Sequence, residues 1–149
     1  MYTIARRSNL HKFYNECAYF TAARYFRKVE QITNKIFEPT GLAPAYAYIL
    51  LYLEDFPKSC ITKIAEDLGY ERTSVSRMLN FLQERGLVIF ETSGRKKLFH
   101  LSSKSLEVLE IANDCLSQLK KLTDKELGDK KVEMTSLLTE NYWKLNTHD

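Results

Sequence analysis

Glycine, proline and cysteine are all scarce in this chain, with five, three and three among 149 residues. So little glycine and proline leaves no low-complexity stretch or disordered linker, and no internal repeat is present. Cys17, Cys60 and Cys115 lie far apart and form no CxxC pair, so neither a disulfide framework nor a zinc ribbon is expected. An odd, scattered count fits a reducing compartment, and a cytoplasmic location is expected. Apolar runs stay short of the roughly 18 residues that a membrane span needs. The opening MYTIARRSNLHKFYNE carries no uninterrupted apolar segment like that of a signal peptide. There is no glycine-rich phosphate loop, nucleophile elbow or HExxH motif, which argues against an enzyme. His11, His100 and His148 share no ligand spacing with a cysteine or carboxylate, so neither a metal nor another cofactor is expected.

What is present is an ordinary globular balance, 44% hydrophobic and 28% charged, in a length that suits one domain with a helical extension. The net charge of +3 is unevenly spread. Residues 1–57 carry +2, residues 58–104 carry +4 from 9 basic against 5 acidic residues, and residues 105–149 carry −3. A polyanion would therefore bind in the middle third.

Apolar periodicity predicts a first helix from about Asn9 to Phe37, stopped by Pro39-Thr40-Gly41. A second begins near Pro44, where a missing N–H costs nothing in a first turn, and ends before Pro57. CITKIAEDL reads as a third helix with Ser59 or Cys60 at its N-cap, closed by Gly69, and Arg72 to Arg85 reads as a fourth, closed by Gly86. The period then changes to that of strands. LVIFETS and KLFHLS, separated by Gly94-Arg95-Lys96, predict a two-stranded hairpin with a basic tip. Ser102 or Ser103 caps the next helix, and a break near Gly128 leads to a last one.

Ile61 to Asn80, ITKIAEDLGYERTSVSRMLN, meets the steric demands of a helix-turn-helix together. A small residue, Ala65, stands where the two helices cross. Gly69, four residues on, accepts the positive φ of the turn. Ile64, Leu68, Tyr70, Val75 and Met78 fall where plugs between the helices are needed. An ordinary helical hairpin shares the periodicity but does not require these separations.

The outward face of the fourth helix then decides the chemistry. Arg72, Thr73, Ser74, Ser76 and Arg77 cluster at its start. Short hydroxyl side chains let a helix sit deep in a major groove, and arginine can take both acceptors of a guanine. Arg95, Lys96 and Lys97 at the hairpin tip read as a wing, with Arg95 the candidate for insertion into a narrow minor groove. The bland alternatives are a solvated helix start and a turn that carries lysines for solubility.

With these pieces in place the chain resembles the MarR family of bacterial regulators over nearly its whole length. The residues that carry the resemblance are ECAYFTAAR, FEPTGLAPAYAYILLYL, KIAEDLGYERTSVSRMLNFLQERGLV and LFHLS. It implies a mainly α fold with a small β-hairpin wing, a winged helix-turn-helix whose first and last helices intertwine with those of a second copy. The division expected is 1–37 for an N-terminal dimerisation helix, 38–104 for the DNA-binding domain and 105–149 for C-terminal dimerisation helices. It also implies that Thr73, Ser74, Ser76 and Arg77 stand at recognition-helix positions and Arg95 at the wing arginine. Ser93 departs from the aspartate usual two residues before that arginine, and Ser105 replaces a common glycine.

The expected function is that of a sequence-specific regulator, with repression favoured and activation left open, binding double-stranded DNA as a homodimer at a near-palindromic operator. Its affinity would respond to a small, often aromatic effector or to thiol oxidation. Cys17, near Tyr14 in the first helix, resembles the reactive position of the hydroperoxide-sensing branch, although a cysteine in an apolar stripe is more often packing. The competing reading is a winged-helix protein-interaction module that binds no DNA.

Overall fold

A computed structural model describes residues 11–147. The chain divides into two compact units, residues 1–35 and 36–149.

In the first unit the expected single helix is broken in two. A short α1 (Phe13–Glu16) and a long α2 (Ala18–Ile36) flank Cys17, whose ψ of 120° is extended. The expected start at Asn9 and Leu10 lies outside the described residues, as does His148. The break has a local cause that apolar spacing does not report. The Cys17 N–H closes α1 on the Phe13 carbonyl at 3.0 Å, while its own carbonyl accepts the Thr21 N–H at 2.9 Å and the Thr21 hydroxyl at 2.8 Å. Its Sγ accepts the Phe20 N–H at 3.4 Å, so Cys17 acts as the N-cap of α2. The Phe13 ring meets Tyr14 and Phe20 edge-on at 5.2 and 5.0 Å, and Arg24 donates to the Tyr14 carbonyl at 2.6 Å. These contacts fold α1 back onto α2.

The second unit begins with a 3-10 turn, Glu38–Thr40. The buried Thr40 hydroxyl donates to the Phe37 carbonyl (2.7 Å) and accepts the Leu42 N–H (3.0 Å). Then follow α3 (Pro44–Asp55), α4 (Ile61–Leu68), α5 (Arg72–Glu84), β1 (Val88–Ser93), β2 (Lys96–Leu101), α6 (Leu106–Leu127) and α7 (Lys130–Asn146). Among the described residues, seven helices and one antiparallel hairpin make the mainly α winged-helix fold expected.

α3 is its centre. Ile49, Leu50 and Leu53 are buried to within 1% against Ile64 of α4, Val75, Leu79 and Leu82 of α5, Val88 of β1, and Ala112 and Cys115 of α6. Each large apolar side chain so covered contributes about 1.5–3 kcal/mol relative to exposure, which is why α3 is apolar on nearly every side. The one polar tie from α3 to α4 is the Tyr52 hydroxyl, which donates to Asp67 Oδ2 at 2.6 Å. Burial first, and then that bond, push the phenol up to about 12. The Lys63 ammonium and the Tyr52 hydroxyl hold the Asp67 carboxyl below its usual range.

Three details position the hairpin. Gly86, at φ +73°, ends α5, and the Leu87 N–H returns to the Leu82 carbonyl at 3.0 Å, a Schellman closure. Ser59 exchanges backbone hydrogen bonds with Phe99 at 3.0 and 2.8 Å, a third single-residue strand beside β2 that the sequence pattern did not indicate. The Ser102 hydroxyl donates to the Gly86 carbonyl, and the fully buried Ser105 hydroxyl donates to the Ser102 carbonyl at 2.7 Å. Ser105, where the resemblance would place a glycine, is thus a satisfied buried donor, acting in the turn Ser103–Ser105 that precedes α6.

Among the described residues no helix is long and apolar enough to cross a membrane.

Candidate nucleic-acid interface

The α4–α5 corner follows from its sequence. Gly69 adopts φ +76°, and the Gly69 and Tyr70 N–H groups both return to the Ala65 carbonyl, at 2.9 and 3.0 Å. A residue with a Cβ would be strained at that φ. Ile64, Ala65, Val75 and Met78 are buried between the helices and Leu68 is half-buried, as the spacing requires. Tyr70 is the exception: it is exposed, because the chain has already left the inter-helix space at Gly69.

Val75, Met78, Leu79 and Leu82 bury one side of α5. The opposite side therefore carries Thr73, Ser76, Arg77 and Asn80, with Arg72 at its start. Arg72, Thr73, Arg77 and Asn80 are exposed, and Ser74 and Ser76 are half-buried. Asn80 was missed by the sequence reading. It stands one turn beyond Ser76 and Arg77 on the open side, and helical spacing alone was enough to find it. An asparagine amide can donate to the N7 of an adenine edge and accept from its N6 amino group. Glu84, one turn further, ends the stretch suited to a polyanion.

The N-terminus of α5 is open. Glu71 occupies the N-cap, but its carboxylate bonds no first-turn amide. The amides of the first turn, with the positive end of the helix dipole behind them, are available to an anion.

The hairpin turns tightly. Ser93 pairs with Lys96, so the turn is Gly94-Arg95 alone, and Gly94 at φ +62° takes its first central position as in a type II′ turn. Arg95, Lys96 and Lys97 are exposed at or beside the tip, with the Lys97 ammonium 4.7 Å from the centre of the Phe90 ring. With Ser93 in place of a carboxylate, Arg95 has no ion-pair partner among the described residues. Across a cleft from the tip lie Lys58, Ser59, Cys60 and Lys63 at the start of α4. Lys58 pairs with Glu91 (3.1 Å) and Lys63 with Asp67 (2.8 Å). Arg72, Arg77, Arg95 and Lys96 make no salt bridge among the described residues.

Cys17 and Tyr14 lie in the other unit, with Cys17 half-exposed and Tyr14 exposed. Cys115 is buried in α6, and burial pushes its thiol up.

A two-helix corner closed by a positive-φ glycine, followed by a basic hairpin, defines a winged helix-turn-helix protein. Residues 40–97 match the sequence model of the MarR family. The fold is that of solved MarR-like regulators. The transcriptional repressor CouR bound to a 23-mer DNA duplex superposes with a TM-score of 0.78 at 24% identity, over 93% of this chain and 99% of that one. CouR bound to p-coumaroyl-CoA gives 0.77 at 25% identity, over 87% and 94%. The M. tuberculosis regulator MosR in complex with DNA gives 0.77 at 22%, over 90% and 100%. No curated protein matches the chain.

Proposed function

We propose that the chain is a sequence-specific, double-stranded-DNA-binding transcriptional regulator, a repressor acting as a homodimer. One observation carries this reading: the exposed cations of α5 and the wing, Arg72, Arg77, Arg95 and Lys96, have no carboxylate partners among the described residues and stand beside hydroxyl and amide side chains. An unpaired guanidinium has its full hydrogen-bonding capacity left for phosphates and base edges. In this reading Arg72, Thr73, Ser74, Ser76, Arg77 and Asn80 enter the major groove. Arg95, with Lys96 and Lys97, reaches the adjacent minor groove or backbone.

The dimer in this reading rests on segments 1–37 and 105–149, which flank the winged helix-turn-helix in sequence. Val132, Leu137, Leu138 and Leu145 of α7 are 49–72% exposed, and Tyr19 and Phe26 of α2 are 81% and 58% exposed. Large apolar side chains left open in that number suit a second copy. Two recognition helices related by a two-fold axis then read a near-palindromic operator about one DNA turn between half-site centres. Binding should fall steeply with salt, by about 10³–10⁵ between 50 and 200 mM if six to ten phosphates are contacted. Filter binding at those two concentrations checks this, and salt-insensitive or absent binding would favour a protein-interaction module.

The regulator's signal is a small ligand, as CouR is solved with p-coumaroyl-CoA, or oxidation at Cys17. A peroxide would convert the half-exposed Cys17 thiol to a sulfenic acid and itself be reduced to water or an alcohol. The bond from the Phe20 N–H to Sγ, and with it the cap of α2, would then change. Peroxide should lower the DNA affinity of the parent protein and leave a Cys17→Ser form unaffected. Equal responses would remove Cys17 from the mechanism.

A further inference from the structure

α7 presents two different sides. Met134, Leu137 and Leu138 line a shallow groove on one. Tyr142, Trp143 and Asn146 lie on the other and face the α4–α5 corner across a cleft of about 870 Å³. That volume is within the range of small-molecule sites. The groove with Leu137 and Leu138, which are offered to a second copy, is thus separate from the side that forms the cleft.

The Tyr142 ring rests on Gly69, so closely that a Cβ placed on the glycine would come within 2.9 Å of Oη. Trp143 stands edge-on to Tyr142 with ring centres 5.0 Å apart, and Tyr70 supplies a third aromatic ring to the lining. Glu66 and Glu71 also line the cleft, and neither makes a salt bridge or a side-chain hydrogen bond among the described residues. Asp67, a third acid, is committed to Lys63 and Tyr52. Arg72 is the one cation of the lining.

We propose that this cleft binds an organic cation, an aryl or quaternary ammonium or phosphonium group, through the faces of Tyr70, Tyr142 and Trp143 and the charges of Glu66 and Glu71. Aromatic faces attract cations through their quadrupoles, and two unpaired carboxylates set the sign of the local field. An anion would meet the carboxylates of Glu66 and Glu71, the first partly offset by the field of Lys63, and gain one arginine. Arg72 and Thr73 line the cleft and also stand on the candidate DNA face. Occupancy therefore lowers DNA affinity, and this clause alone rests on the DNA-binding reading.

Trp143 is the only tryptophan of the chain, so its emission reports the cleft directly without DNA. The full-length protein is titrated with tetraphenylphosphonium and, in parallel, with tetraphenylborate, which matches it in shape and reverses its charge. A saturable change in Trp143 emission with the phosphonium, with the borate weaker by about tenfold or more, supports the site. A Glu66→Gln/Glu71→Gln form should weaken phosphonium binding by about tenfold or more and narrow the preference over borate. No saturable response to the phosphonium, equal or tighter borate binding, or an unaltered double variant would overturn it. Anisotropy of a labelled operator duplex then reads the linkage. If saturating phosphonium leaves DNA affinity unchanged, the coupling is overturned while the site stands. If the protein binds no duplex at all, the regulator reading fails and the tryptophan titration still decides the cleft.

Discussion

Two stretches of this chain are rich in basic residues and use them in opposite ways. In the C-terminal helices Lys120 and Lys131 both hold Asp124, at 2.9 and 2.7 Å, Lys130 holds Glu133, and Lys144 holds Glu140. Those lysines are neutralised locally, and the two on Asp124 keep its carboxyl below the usual range while tying α6 to α7. On the outer side of α5 and at the wing tip, Arg72, Arg77, Arg95 and Lys96 have no such partners among the described residues. The two regions differ little in how many cations they carry. They differ in whether an acid stands one helical turn or one fold contact away. A paired surface lysine contributes at most about 1 kcal/mol and advertises little charge, whereas an unpaired arginine on a rigid helix keeps its field for a partner.

The contrast can be broken in graded steps. Removing the support beneath the open cations should cost the most. Leu79 is fully buried under α5, so Leu79→Ala should lower stability by about 2–5 kcal/mol, read from urea denaturation. A loss below about 1 kcal/mol would mean that α5 is not anchored as described. Next, Arg77→Ala on the opposite side of the same helix should leave stability within about 0.5 kcal/mol and weaken operator binding by about 1–3 kcal/mol. Its counterpart Lys144→Ala, at a paired site, should leave operator affinity unchanged. If the two substitutions weaken DNA binding equally, pairing does not distinguish the regions. A smaller effect belongs to the corner where α7 meets the helix-turn-helix. Gly69→Ala should cost roughly 1 kcal/mol or more, from positive φ and from the close approach of Tyr142. Adding Tyr142→Ala should restore only the steric share. Full restoration would show that φ matters little there.

Much of the helix-turn-helix was legible in the residues. Ala65, Gly69 and Val75 sit at offsets that only a crossing helix pair demands, and the covered side of α5 follows from helical spacing. The same spacing places Asn80 on that open side, one turn beyond the basic and hydroxyl cluster. Other features were not legible. The break at Cys17 leaves the apolar stripe of the first helix intact, since a single extended residue barely disturbs a period of 3.6. Tyr70 fits a plug position by spacing yet faces solvent, because the glycine turn redirects the chain one residue earlier. The bond from Ser105 to Ser102 and the Ser59–Phe99 bridge depend on residues brought together by folding.

The sequence by itself determined the order of elements, the glycine corner, the buried stripes and the excess of positive charge in the middle third, because each depends on neighbours within a few turns of chain. Tertiary structure alone decided which cations remain unpaired and which side of α7 closes over the corner. Ion pairing and cleft formation depend on distances between distant segments. No local spacing rule contains those distances.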